Sequence, residues 1–342
     1  MNPWSAHLER FAGALGLTKD GPGLVRTGLF LTLLYALYAL AFPDRDERLL
    51  RHLFGWGGTL AFLFLWWRGA QQTNVLEARG AVPWRLLLTF FVLFAALAAA
   101  IRPFHSSDLH AYVTVGQIQA AYDLDPYVHT ASDVPDWSED PLLSGTWKDM
   151  PCTYGFLFAQ LTEGVVRLGA GDLGRSLLLF KLLGILALAL CAWLTLDTMR
   201  RHDITGRGLA LFTLLWSPYV LLHFVSNAHN DVWMALCLLV AFRGALDGRW
   251  LTLVPALIMG ALFKHLALVL LPFAWVLLVR RHGWRRAALS TLLGCGLAAL
   301  AALPYAGQWG EVRWEKIGTT LTTPWNSFQA VLTYSYGRLA EA

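Results

Sequence analysis

The sequence predicts an all-α, polytopic transmembrane helix bundle of about nine spans, with an external loop that carries juxtamembrane amphipathic helices. Three observations predict it. Of the 342 residues, 56% are hydrophobic and only 15% charged, and the mean hydropathy of +0.48 is far more apolar than a water-soluble core requires. Apolar runs recur at 24–42, 52–67, 86–101, 176–198, 209–225, 231–246, 250–264, 266–279 and 287–305. Between them stand short loops rich in arginine, the residues that are held on the cytoplasmic side of a membrane.

Residues 1–23 mix acids and bases and lack the apolar core and small-residue cleavage site of a secretory signal, so they read as a cytoplasmic lead-in lying on the membrane. The transmembrane domain follows over 24–305. Its clearest inside block is "RRHGWRR", with Arg280, Arg281, Arg285 and Arg286, joined by Arg200, Arg201 and Arg207 and by Arg68, Arg79 and Arg85. Keeping all of these inside forces 102–175 outside. Its first part is acidic, as an external segment should be: Asp108, Asp123, Asp125, Asp133, Asp136, Glu139, Asp140 and Asp149 face only Arg102 and Lys148 before Pro151.

The stretch "TYGFLFAQLTEGVVRLGAG" is long enough to cross, but crossing there would move the Arg200 cluster outside, so it reads as an amphipathic helix on the outer surface. Residues 251–278 read as two short spans meeting outside at Lys264, since Arg249 and Arg280 flank them at both ends and Pro255 and Pro272 suit bent helices. The chain then closes with an external segment, 306–342. Cys152, Cys191, Cys237 and Cys295 show neither metal spacing nor a disulfide framework. The net charge of +4 is mostly loop arginine and does not call for nucleic acid.

This topology gathers the polar oddities of the chain on one face. "SNAHND", Ser226 to Asp231, interrupts two apolar runs; polar groups at the mouth of a bundle face a cavity, a partner or water, or else form a tight turn with Asp231 as a helix cap. Asp108 follows the third span within a few residues, placed either as a partly desolvated general base or as the cap of the helix that begins there. Lys264 with His265 supplies a cation at the outer end of a short span, for lipid phosphate or simply for the headgroups.

The order of these pieces resembles a known family. "DLHAYVTVG" from Asp108, "DPY" from Asp125, "PCTYGFLF" from Pro151, "NAHND" from Asn227 and then Lys264 before a basic loop are similar to the GT-C superfamily of polytopic glycosyltransferases, in particular the bacterial polyprenyl-phosphate-mannose-dependent mannosyltransferases. The likeness covers about residues 86–282 and reaches more weakly to "PWNSF", Pro324 to Phe328. Asp125 stands where the family pattern has Asn, and Phe156 where it has Pro; many members continue through further helices.

The resemblance implies a membrane hexosyltransferase of the bacterial inner or plasma membrane. It would move a sugar, mannose by family analogy, from a polyprenyl-phosphate donor to a glycan, lipid or protein acceptor on the extracytoplasmic face. By the same resemblance Asp108 is the catalytic base, Lys264 meets the donor phosphate, and His229, Asn230 and Asp231 line the substrate cavity; His265 and Arg102 are further cations for the departing phosphate, and His110, Tyr112, Tyr154 and Asn326 are further candidate substrate contacts. The chemistry is self-consistent, because a lipid phosphate is already a good leaving group and needs cations more than a strong acid. No metal site is assigned. A divalent metal is one option as a cofactor, with Asp108, His110, His229 and Asp231 as O and N ligands, though no spacing demands it. The alternative readings are a polytopic transporter or lipid flippase with a polar site at the outer face, and a structural subunit whose acidic 133–149 stretch binds a partner.

Overall fold

Each of the nine apolar runs falls on helix in the computed structural model, which describes residues 22–41, 48–104 and 106–311. Among the described residues there is no strand. Helices α1 (Pro22–Ala41), α2 (Arg48–Ala78) and α3 (Trp84–Ala100) come first. Segment 102–175 contributes α4 (Asp108–Ala120) and α5 (Phe156–Gly169), with three short 3-10 turns between them. Then come α6 (Leu173–Arg201), α7 (Arg207–Leu215), α8 (Pro218–Leu221) running into a π-helical turn over Leu222–Ser226, α9 (Asp231–Leu246) and α10 (Trp250–Ala261). A 3-10 segment, His265–Leu270, leads into α11 (Leu271–His282), and α12 (Trp284–Ala302) runs on into a last 3-10 stretch ending at Glu311.

Among the described residues four stretches are long and apolar enough to cross a membrane: Pro22–Leu40, Leu173–Arg201, His265–His282 and Trp284–Gly307. The pair α7 and α8, bent by 45° at the break before Pro218, makes a fifth if it is one span. Helices α3 and α10 are apolar but only 17 and 12 residues long, short of the roughly 20 that a straight crossing needs. The described residues thus hold several candidate spans. Leu33, Leu40, Trp56, Phe273 and Leu292 stand exposed on outward faces, as side chains solvated by lipid do.

Helix breaks follow local chemistry. Asp172 caps α6 by accepting the Arg175 amide at 2.7 Å, and Ser217 caps α8 ahead of Pro218 at the first helical position. Ile101 is extended, the conformation favoured shortly before Pro103, and α3 stops there. The bundle is held by two kinds of contact. An aromatic core joins α1, α2, α3 and α7, with Trp216 packed on Phe90, Phe94 and Phe212 and its Nε1 donating to Leu87 O at 3.0 Å. Buried polar groups then satisfy orphan helix ends. Glu77 of α2 accepts the Gly208 and Leu209 amides at the start of α7, at 2.8 and 3.0 Å. Lys181 of α6, only 6% exposed, donates Nζ to Ala99 O and Ile101 O at 2.8 and 2.6 Å, closing the C-terminal carbonyls of α3.

The amphipathic stretch at 156–169 is helix α5, which buries Phe158, Val165 and Val166 against α4 and α6. The 251–278 stretch is two elements, as expected: the chain leaves α10, turns at an extended Lys264 and returns as the 3-10 segment and α11, packed back on α10. Gly155, at the entrance to α5, lies so close to this turn that a Cβ would come within 2.3 Å of Leu262 O. Phe158 N donates to the same carbonyl at 3.2 Å.

Two glycine substitutions separate this close approach from general helix propensity. Gly155→Ala forces backbone apart and should cost about 1–3 kcal/mol, whereas Gly164→Ala, on an exposed face of α5 with nothing within 4 Å, should gain about 0.5–1 kcal/mol. Thermal unfolding of both variants in detergent is the check; equal effects of the two would show that Gly155 is not a packing constraint.

Candidate active site

The site forms where four breaks in helix meet. Asp108 opens α4, the SNAHND turn joins the π-helical segment to α9, Lys264 sits in the turn after α10, and Tyr154 precedes α5. The SNAHND turn is fixed from three sides. Asn227, fully buried, accepts the Phe104 amide at 3.2 Å and donates to Leu222 O at 2.8 Å. Asn230 Nδ2 donates to Phe263 O at 3.2 Å, and among the described residues its buried Oδ1 finds no donor. Between them Ala228 adopts φ +48°, a left-handed conformation that L-residues other than Asn or Asp rarely take. A strained residue and a π turn side by side mark a segment whose shape is held by its surroundings.

Asp108 is the first residue of α4 and not its cap: its own amide donates to Ser106 Oγ at 3.1 Å, and the capping position is Ser107. Its carboxylate instead points across to SNAHND, where Oδ2 lies 3.4 Å from His229 Nδ1. Asp231 likewise starts its helix without capping it; its Oδ1 accepts from Lys264 Nζ at 2.7 Å. Four of the sequence-selected residues, from three separate segments, therefore form two neighbouring pairs.

Tyr112, one helical turn beyond Asp108, and Tyr154 cross edge to face with ring centres 5.2 Å apart. The Asn230 amide reaches the Tyr112 hydroxyl at 3.5 Å. Burial first, and then the charge of Asp108 among the lesser causes, raises both phenols above their ordinary range, so both remain protonated donors. For His229 burial is again the largest cause and lowers the imidazole below its ordinary value; it outweighs the upward pull of Asp108 and Asp231, and Lys264 adds to the lowering. His229 is thus held neutral beside a carboxylate.

Other selected residues sit elsewhere. His110 lies two residues past Asp108, on the opposite side of α4. Arg102 is exposed at the end of α3. His265 lines an apolar cavity of about 370 Å³ that starts next to the Lys264 turn, between Tyr127, Cys152, Tyr154, Leu262 and Tyr305. Asn326 lies outside the described residues.

His223 was not visible as a site residue from sequence. It stacks on His229 with ring centres 3.9 Å apart and planes at 20°, and under Tyr219 at 5.1 Å. The group His223, His229 and Asp231 has ligand atoms within 4.8 Å of one another, in place of the four metal ligands that sequence offered. Two nearly parallel imidazoles cannot both hold one ion in their ring planes, so this pair suits stacking better than chelation.

The two departures from the family pattern also acquire a physical reading. Asp125 Oδ1 accepts the Tyr127 amide at 2.8 Å, a role an Asn oxygen fills equally. Phe156 occupies the first helical position of α5, where proline is favoured, and stacks on Tyr305 at 5.5 Å.

Comparison with known proteins places this geometry. A family described as alpha-(1->6)-mannopyranosyltransferase, N-terminal domain, matches residues 29–280. The chain is 24% identical over 332 residues to alpha-(1->6)-mannopyranosyltransferase A of Mycobacterium tuberculosis, covering 90% of the chain and 63% of that protein. It is 24% identical over 178 residues to the protein of the same name from Corynebacterium glutamicum, covering 51% of the chain and 35% of that relative. A probable alpha-(1->6)-mannopyranosyltransferase of Mycolicibacterium smegmatis is 27% identical over 152 residues, 43% of the chain and 26% of the relative. The chain thus spans less than two thirds of the length of each of these relatives, and no solved structure matches it significantly. With about three quarters of its length inside that one match, and Asp108, His229, Asp231 and Lys264 all within it, the chain belongs to the alpha-(1->6)-mannopyranosyltransferase N-terminal-domain family.

Proposed function

We propose that this chain is a membrane mannosyltransferase of GT-C type that moves mannose from a polyprenyl-phosphate donor to a glycan hydroxyl at the extracytoplasmic face, with Asp108 as the general base. The observation that carries the reading is the pairing of Asp108 with His229 and of Asp231 with Lys264 at one end of the bundle. Its relatives are named for α-(1→6) mannosyl transfer, and the same linkage is the proposal here. In the reaction the acceptor oxygen forms a bond to mannose C1 as the C1–O bond to phosphate breaks. The electron pair leaves with the polyprenyl phosphate, the configuration at C1 inverts, and the acceptor proton passes to Asp108.

Lys264 supports this role because one of its three donors engages Asp231, leaving two for phosphate oxygens, at a side chain that is 36% exposed. The apolar cavity opening beside the Lys264 turn suits the first isoprenoid units of the donor. Tyr112 and Tyr154, kept protonated, are donors for sugar or phosphate oxygens. A neutral His229 matters as well, since it can orient the Asp108 carboxylate without pairing with it as a counter-ion.

The base assignment is tested with purified protein, polyprenyl-phosphate mannose and a glycan acceptor, following mannose transfer. Asp108→Asn should lower turnover about 10²–10⁴-fold with donor KM little changed, while Lys264→Gln should chiefly raise the donor KM. A folded Asp108→Asn protein that turns over like wild type would remove Asp108 as the base.

Acidification gives an independent check on His229. Its folded value lies below the ordinary one of about 6.5, so across that interval the unfolded chain binds a proton that the folded chain does not. Stability therefore rises with pH through the interval, and His229's unfavourable contribution is complete once pH falls below the folded value. Thermal unfolding from about pH 5 to pH 8 should show this slope in wild type and lose it in His229→Asn; an unchanged slope would mean that His229 is not the titrating group.

A further inference from the structure

Helix α9 runs from Asp231 at the candidate active site to Leu246, about 24 Å away at 1.5 Å per residue. At that far end lies a second cavity, of about 490 Å³, between the ends of α6 and α9 and the start of α10. Four arginines line it, Arg200, Arg201, Arg243 and Arg249, against two aspartates, Asp197 and Asp247. The aspartates are already engaged. Asp197 accepts from Arg200, Arg201 and Arg243, and Asp247 meets Arg243, Arg249 and the His202 imidazole.

Four guanidinium groups carry about twenty N–H donors, and two carboxylates offer about eight acceptor positions. The surplus is not buried: the Arg200 and Arg249 side chains are 71% and 62% exposed, whereas Arg243 is 12% exposed and belongs to the structural network. The remaining wall is mainly apolar, made by Leu194, Val240 and Trp193 with Gly244 and Thr252, and the Trp193 indole is exposed. Spare arginine forks above an apolar wall and an exposed tryptophan describe an amphipathic anion, with a planar or tetrahedral oxyanion for the arginines and hydrocarbon for the wall.

We propose that this cavity binds a phosphate group, and that the phosphate is the headgroup of an anionic membrane lipid. A free phosphate would satisfy the arginine donors but make no use of the exposed Trp193 indole beside them; a phospholipid would engage both. The site is separate from the mannosyl-transfer site and does not depend on that assignment.

The experiment places the full chain in nanodiscs of phosphatidylcholine alone or with increasing phosphatidylglycerol, and reads the thermal unfolding midpoint and the lipid retained in native mass spectrometry. Arg200→Gln with Arg249→Gln removes two exposed cations while leaving the buried Arg243 network in place. The double variant should melt like wild type in phosphatidylcholine. Phosphatidylglycerol should raise the wild-type midpoint, and the double variant should bind it about thirtyfold more weakly, the loss expected for two surface cations. A third arm adds inorganic phosphate to the phosphatidylcholine discs. If it alone reproduces the rise, and the double variant abolishes it, the site is a phosphate site filled from solution. If the double variant responds to phosphatidylglycerol like wild type, or wild type responds to neither anion, the proposal is overturned.

Discussion

One buried ammonium holds the junction on which the candidate site depends. Lys181 lies on α6 but serves α3, whose last carbonyls would otherwise point into an apolar bundle without partners. A lysine in such surroundings is costly unless it is fully engaged, and the two carbonyl acceptors at 2.8 and 2.6 Å engage it. Ser226 Oγ donates to the same Ile101 carbonyl at 3.5 Å. The end of α3, the middle of α6 and the first residue of SNAHND are therefore tied at a single point. Asp108 and His229 leave that point on separate strands of chain and meet again at 3.4 Å.

The same constraint explains why the polar residues collect at one end. Each helix that breaks near that end exposes backbone groups, and each break is closed by a side chain from another segment: Asn227 for Phe104, Asn230 for Phe263, Tyr112 for Asn230. Close backbone approach completes the arrangement. Gly184 meets Phe224 O where any Cβ would lie 2.3 Å away, and Gly155 does the same at Leu262. These contacts set the positions of the π-helical turn and of Lys264, and so place the ammonium against Asp231.

Much of this was legible in the sequence, and the missing parts have a common cause. Hydropathy located nine apolar runs that fall on helix among the described residues, and the chain does break at Lys264 within 251–278. Asp108, His229, Asp231 and Lys264 were selected by order and topology, and their contacts bring them together. What sequence could not show was contact between segments far apart in the chain. Lys181 reads as a lone cation inside an apolar run, and only the fold shows which carbonyls it meets. His223 sits six residues before His229, at a spacing that fits neither a helix face nor a metal pair, because a π turn and a left-handed Ala228 lie between them.

The two carboxylates of the site are not equivalent, and the difference comes from their partners. Asp231 faces an ammonium at 2.7 Å. That close ion pair ties Asp231 to Lys264 and fixes where the ammonium sits. Asp108 faces an imidazole that burial keeps neutral, a neighbour that can orient a carboxylate without neutralising it. Its side chain is 29% exposed, which leaves it accessible to the acceptor hydroxyl of the proposed reaction. In the transfer we propose, the two pairs would divide the labour: a fixed positive charge where phosphate departs, and a carboxylate beside a neutral ring where the new bond forms.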